Sequence, residues 1–252
     1  MKYAIILLAI VASIATAAGT ALASDLTVQP LSVHVKPGSS SATLSLENQG
    51  TTPLRLQVTG YAWQQLPDGS MDLKPSDDLV FFPQLITIAP GTHRALRVGL
   101  ATPKLTTTES TYRIFIEELP TLDSQLNPTE SAMVTVRTKM GIPVFLDPRR
   151  PAPKPRLDLT SFAAGKLIFH LYNDGNAHFV ASKVDVVGKT AGGQALFDHP
   201  LNGWYILSQG DREFDLDVSD QECTGLRAVT IAATTDAGPI TQTYPVASSA
   251  CK

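Results

Sequence analysis

Cysteine, tryptophan and charge are all scarce in this 252-residue chain, and past the first two dozen residues no apolar run reaches a membrane-spanning length. Two cysteines, Cys223 and Cys251, exclude a disulfide-rich scaffold and a four-cysteine zinc site. In an exported protein such a pair most often forms a disulfide, which is expected here. The five histidines, His34, His93, His170, His178 and His199, are scattered, and none forms His-Glu-x-x-His or pairs with cysteine at metal spacing, so no metal centre is expected. Charged residues make up 17% of the chain and the formal net charge is −3, which leaves no basic field to hold nucleic acid or anionic lipid.

The motifs for chemistry are equally thin. Gly188-Lys189-Thr190 resembles the end of a phosphate-binding loop, but the glycine needed five residues before the lysine is Val184 and no helical pattern follows, so no nucleotide is expected. Glu117 and Glu118 are adjacent carboxylates, yet successive strand side chains point to opposite faces and cannot converge on one atom. There is no Gly-x-Ser-x-Gly elbow and no triad-like spacing. No catalytic residue and no cofactor are assigned. Trp63 and Trp204 sit in strand-like runs and are expected in the core.

What is present begins with MKYAIILLAIVASIATAAGTALAS, one lysine before an apolar stretch that ends Ala21-Leu22-Ala23, the pattern of a secretory signal cleaved after Ala23. Removing residues 1–23 leaves 229 of 252 and shifts the net charge from −3 to −4, because Lys2 goes with them. From Leu26 to Leu146 the chain breaks into short alternating runs separated by turns such as Pro67-Asp68-Gly69-Ser70 and Pro90-Gly91, as in an immunoglobulin-like sandwich. Asp147 to Arg156, DPRRPAPKPR, has four prolines and four basic residues in ten positions and is expected to stay outside any sheet. Runs at sandwich spacing resume at Leu157. The expected organisation is a domain over 24–147, a hinge over 148–156 and a second all-β domain over 157–252.

The run SAMVTVRTKMGIPVFLDP, Ser131 to Pro148, places Val134, Val136, Met140, Ile142, Val144 and Leu146 on one face of a long strand, with Thr135, Arg137 and Lys139 between them. At a sheet edge such a row can pair with another chain.

The signal sequence, VQPLSVHVKPGSSSATLSLENQG, the Tyr112-Arg113-Ile114 run and IPVFLDP, in this order from Leu26 to Pro148, resemble the periplasmic pilus (fimbrial) chaperones, the PapD-like family. IPVFLDP is closer to the archaic, or sigma, branch of the chaperone-usher pathway. The resemblance implies two immunoglobulin-like β-sandwich domains in a boomerang arrangement and a non-enzymatic periplasmic protein. Such a protein complements pilus subunits, incomplete immunoglobulin-like proteins, with its own strand and delivers them to an outer-membrane usher. It puts Val134, Val136, Thr138, Met140 and Ile142 in the donor row and leaves self-association through that row open. Familiar members grip the subunit's C-terminal carboxylate with an Arg on the first strand and a Lys on the last; here those positions hold Ser32 and Pro143. A carboxylate needs a cation, and Arg113, opposite in phase to Tyr112, Ile114 and Ile116, is the first candidate, with Arg97, Arg137 and Lys139 as alternatives; for each the plainer reading is a solvated strand charge. The competing reading is a structural pilus or adhesin protein built of immunoglobulin-like domains.

Overall fold

A computed structural model of the chain describes residues 25–102, 105–120, 137–247 and 249–251. The expected signal segment and the expected donor positions Val134 and Val136 lie outside the described residues.

The first domain packs two sheets. One orders β1 (Leu26–Gln29), β3 (Ser41–Asn48), β8 (His93–Leu100) and β6 (Leu79–Phe82). The other orders β2 (Val33–Val35), β10 (Lys139–Leu146), β9 (Ser110–Glu118), β4 (Leu54–Gln65) and β5 (Met71–Lys74), with β7 (Leu85–Ile88) also on β4. Each strand alternates, so one side chain in two turns inward, and Leu44, Leu46, Leu56, Leu96, Val98, Ile114, Ile116, Ile142 and Val144 meet between the sheets. The pairings are antiparallel except that β10 runs parallel to β2.

The second domain repeats the architecture with β11 (Pro155–Ala163), β12 (Lys166–Asn173) and β16 (Asp211–Asp217) in one sheet. β14 (Ala195–Asn202), β13 (Phe179–Lys189), β17 (Ala228–Thr235) and β18 (Ile240–Pro245) form the other, with β15 (Tyr205–Ile206) also on β13. A single helical turn, α1 (Asp220–Cys223), carries a capping box between Ser219 and Glu222. Cys223 and Cys251 form the expected disulfide and close the chain's end onto this domain.

Both domains use the same internal device. Asn48 and Asn173 are buried; each donates through Nδ2 to two carbonyls and accepts through Oδ1 from the glycine two residues on. A fully buried amide is tolerated only when its groups are bonded, and the Asn-x-Gly spacing satisfies them in each domain.

One expectation needs correction. Pro155 and Arg156 do not stay outside the sheets: they begin β11 and pair with Asn173 and Tyr172. Because β11 is an edge strand and Pro155 its first residue, the missing N–H breaks no ladder. The domains are also joined by more than a hinge. Gln65 Nε2 donates to the Tyr205 carbonyl at 2.7 Å, Glu213 N to the Pro67 carbonyl at 2.7 Å and Asn176 Nδ2 to the Thr107 carbonyl at 2.8 Å. Trp63, Phe145 and Leu207 form a small apolar cluster at this junction.

Candidate functional site

β10 has two differently supported halves. From Val144 to Leu146 it lies between β9 and β2, whereas from Lys139 to Pro143 it pairs with β9 alone among the described residues. Glu118 N donates to the Thr138 carbonyl at 2.9 Å, which fixes the even-numbered backbone groups toward β9, and Asp147 N donates to Val35 O on the β2 side. By strand alternation the backbone groups of Lys139 and Gly141 face away from β9, toward an open edge. Pro143, which has no N–H, closes that edge where β2 begins.

The side chains divide by parity. The even row enters the core: Ile142 is 1% exposed, so it is a core residue and not part of an exposed donor row as expected, because pairing with β9 carries it between the two sheets. Met140 is half-buried against the same core and Thr138 is half-buried, so the row reaches the open end of the sandwich there. The odd row faces outward, toward the second domain.

On that outward face one register row is informative. Pro143 stands opposite Arg113, which stands opposite Tyr61, and Ser32 precedes the Val33 that pairs with Val144. Ser32 and Pro143 therefore share a row with Arg113.

Arg113 is not the solvated strand charge expected of it. It is 8% exposed; its Cζ lies 5.1 Å from the Trp63 ring centroid and 5.8 Å from that of Trp204, and Nη2 donates to the Gly141 carbonyl at 3.3 Å. Its Nε and Nη1 are buried with no hydrogen-bond partner among the described residues. Burial pushes the guanidinium pKa down, with Tyr205 acting in the opposite sense, and the side chain still stays charged at any physiological pH. A Cβ on Gly141 would stand 2.8 Å from Arg113 Nε, so only glycine lets the guanidinium lie across β10. Arg113 is thus a buried cation with two unbonded donors, lying across β10 from the neighbouring strand β9.

The alternatives fare differently. Lys139 is exposed, paired with Glu117 at 3.0 Å and placed over Phe115. Arg137 is exposed. Arg97 is exposed on β8, in the opposite sheet, too far around the sandwich to share a site with β10. Trp63 is core as expected, 1% exposed, but Trp204 is 40% exposed because it lies in the turn between β14 and β15.

Four of the five histidines pair with carboxylates. His178 Nδ1 lies 2.8 Å from Glu109 Oε2 and its ring stacks on Phe145 at the domain junction; His34, His170 and His199 also pair with carboxylates. No group of three or more potential ligands is placed to hold a metal ion among the described residues.

Comparison with known proteins falls on this architecture. The CsuC–CsuE chaperone–tip adhesion subunit pre-assembly complex from archaic Csu pili of Acinetobacter baumannii is 16% identical with TM-score 0.60, over 87% of this chain and 97% of that one. The Escherichia coli chaperone DraB is 17% identical with TM-score 0.55, over 88% and 97%. A chain from the Salmonella enterica SafA pilin–SafB chaperone complex is 15% identical with TM-score 0.54, over 89% and 98%. At such identities the likeness establishes the fold alone. No curated protein matches the chain by sequence. The family description "Pili and flagellar-assembly chaperone, PapD N-terminal domain" matches residues 25–152, 128 of the chain's 252 residues, and these hold β1 to β10 and the Arg113 row. The chain belongs to the PapD-like family of pili and flagellar-assembly chaperones.

Proposed function

We propose that this protein is a periplasmic, non-enzymatic chaperone that captures pilus subunits by lending them β10, keeps them from aggregating and delivers them to an outer-membrane usher. The observation that carries the reading is a strand edge unpaired among the described residues beside a buried cation with two unbonded donors. A subunit lacking its final strand exposes apolar surface and unpaired backbone groups; the even row of Val134, Val136, Thr138 and Met140 covers the first and the edge groups of Lys139 and Gly141 bond the second. Each aliphatic side chain so buried contributes about 1.5–3 kcal/mol.

Arg113 supplies the anchor. β2 occupies the edge from Val144 onward, so an added strand stops there, and a C-terminal carboxylate at that end lies beside Arg113. The added strand then runs parallel to β10. Arg137 and Lys139 are supporting charges further along the strand. The archaic branch is the favoured placement, supported by Ser32 and Pro143 in place of the familiar cation pair.

Tagged protein recovered from periplasmic extract of the native host, with mass spectrometry of what co-purifies, tests this. A small exported protein in one-to-one complex is expected, and its loss with Val136→Asp while the circular dichroism spectrum is retained. An empty pull-down from cells producing pili overturns the reading.

A further inference from the structure

The chain's two tryptophans both face the Arg113 guanidinium, and they come from different domains. Trp63 is fixed among Phe145, Leu207 and Tyr205 and cannot leave without opening that cluster. Trp204 is 40% exposed, touches Tyr205 edge-on at 5.6 Å and has solvent beside it. Its turn is held on the first domain by Gln65, which donates to the Tyr205 carbonyl and accepts from Leu207 N at 3.3 Å. Its own carbonyl accepts from Ala181 N at 2.9 Å. The backbone of the turn is therefore fixed and the indole is the part able to move. With Arg113 Nε and Nη1 buried, an anion reaches them only when a wall is displaced, and Trp204 is the wall that moves without breaking a core.

We propose that Trp204 is the specificity-determining cover of the anchor: its indole lies on Arg113 in the free protein, yields to an incoming chain-end carboxylate and then packs on the side chain of the partner's last residue. The proposal rests on the carboxylate-anchor reading. It selects chain ends whose terminal side chain is apolar or aromatic, because an indole gains from stacking on a ring and offers a terminal carboxylate side chain no compensation for lost water, while the Arg113 charge beside it repels an ammonium. It also makes capture depend on how the domains meet, since the cation belongs to one and its cover to the other.

The test uses the full exported chain labelled with 5-fluorotryptophan, whose two fluorine resonances are assigned with Trp204→Phe. Propionate, 3-phenylpropionate and 3-phenylpropanamide are the probes. Both resonances are expected to move with either carboxylate and neither with the amide. The ring-bearing acid should bind about fivefold tighter than propionate, the scale of one aromatic contact. Trp204→Ala should retain carboxylate binding and lose the preference; Arg113→Gln should lose both. A Trp63 resonance that moves while Trp204 stays still, or a preference unchanged in Trp204→Ala, overturns the cover and leaves the anchor standing. If neither carboxylate moves either resonance, the anchor falls and the cover with it.

Discussion

Replacing Arg113 with methionine should make the free protein more stable and useless for capture. The guanidinium leaves Nε and Nη1 buried and unbonded. An unsatisfied buried donor costs about 1–3 kcal/mol, so the pair costs about 2–6 kcal/mol before the charge itself is counted. Against this stand two cation–π contacts at about 0.5–1 kcal/mol each and one hydrogen bond to Gly141 worth about 1.5–3 kcal/mol. Methionine keeps most of the packing volume between Trp63 and Trp204, buries no polar group and adapts to an irregular gap. Taking central values, about 4 kcal/mol of unmet donors stands against about 4 kcal/mol of contacts, so the desolvated charge, counted on neither side, decides the sign, and the substitution should stabilise the fold slightly, as replacement of buried ions by apolar side chains has done elsewhere. Urea unfolding reads this as a higher midpoint at unchanged slope, and subunit pull-down reads the lost capture. Destabilisation by more than about 1 kcal/mol would refute the reasoning, because it would mean that Arg113 is bonded within the fold and held for structure.

Three further outcomes are expected. Gly141→Ala should leave the circular dichroism spectrum intact but displace the guanidinium, weakening capture roughly tenfold or more, the loss expected of one charge-assisted hydrogen bond; undiminished capture counts against the anchor. Cys223→Ser opens a loop of 28 residues and should lower the stability of the second domain by about 3.5 kcal/mol on the chain-entropy relation, read by denaturant unfolding followed through tyrosines of that domain. Glu222 is held below the usual carboxylate range, first by the Ser219 hydroxyl and backbone and then by His199. Its folded pKa is depressed, so its support of α1 is complete above the ordinary glutamate value of about 4.3 and is lost as pH falls through the lower folded value. Amide exchange at α1 should therefore accelerate only below about pH 4, and Glu222→Gln should remove that acid response.

The strands of both domains were legible because each buries one face, and burial writes itself as alternation. β5, β6 and most of β14 were not: Met71–Lys74 and Leu79–Phe82 are four residues each, Ala195–Asn202 carries Asp198, His199 and Pro200, and their extended form comes from pairing with β4, β8 and β13, which their own pattern does not encode. The phase of Arg113 could be read from Tyr112 and Ile114, but its burial could not, since half its cover is Trp204 from the other domain. Trp204 was misplaced in the core because the run LNGWYIL looks continuous, whereas Gly203 and Trp204 turn the chain between β14 and β15. Ile142 misled for the opposite reason. Alternation continues from the donor row into the core, and the point where one becomes the other is set by where β2 begins, a long-range fact.

The central claim is that a partner strand adds to the free half of β10, and amide exchange on the purified complex tests it most directly. The Lys139 and Gly141 amides should exchange rapidly in the free protein and become strongly protected when the subunit is bound, while Val144 to Leu146, already paired with β2, stay protected in both. Unchanged exchange at Lys139 and Gly141 in a stable complex would place the subunit elsewhere and contradict the account.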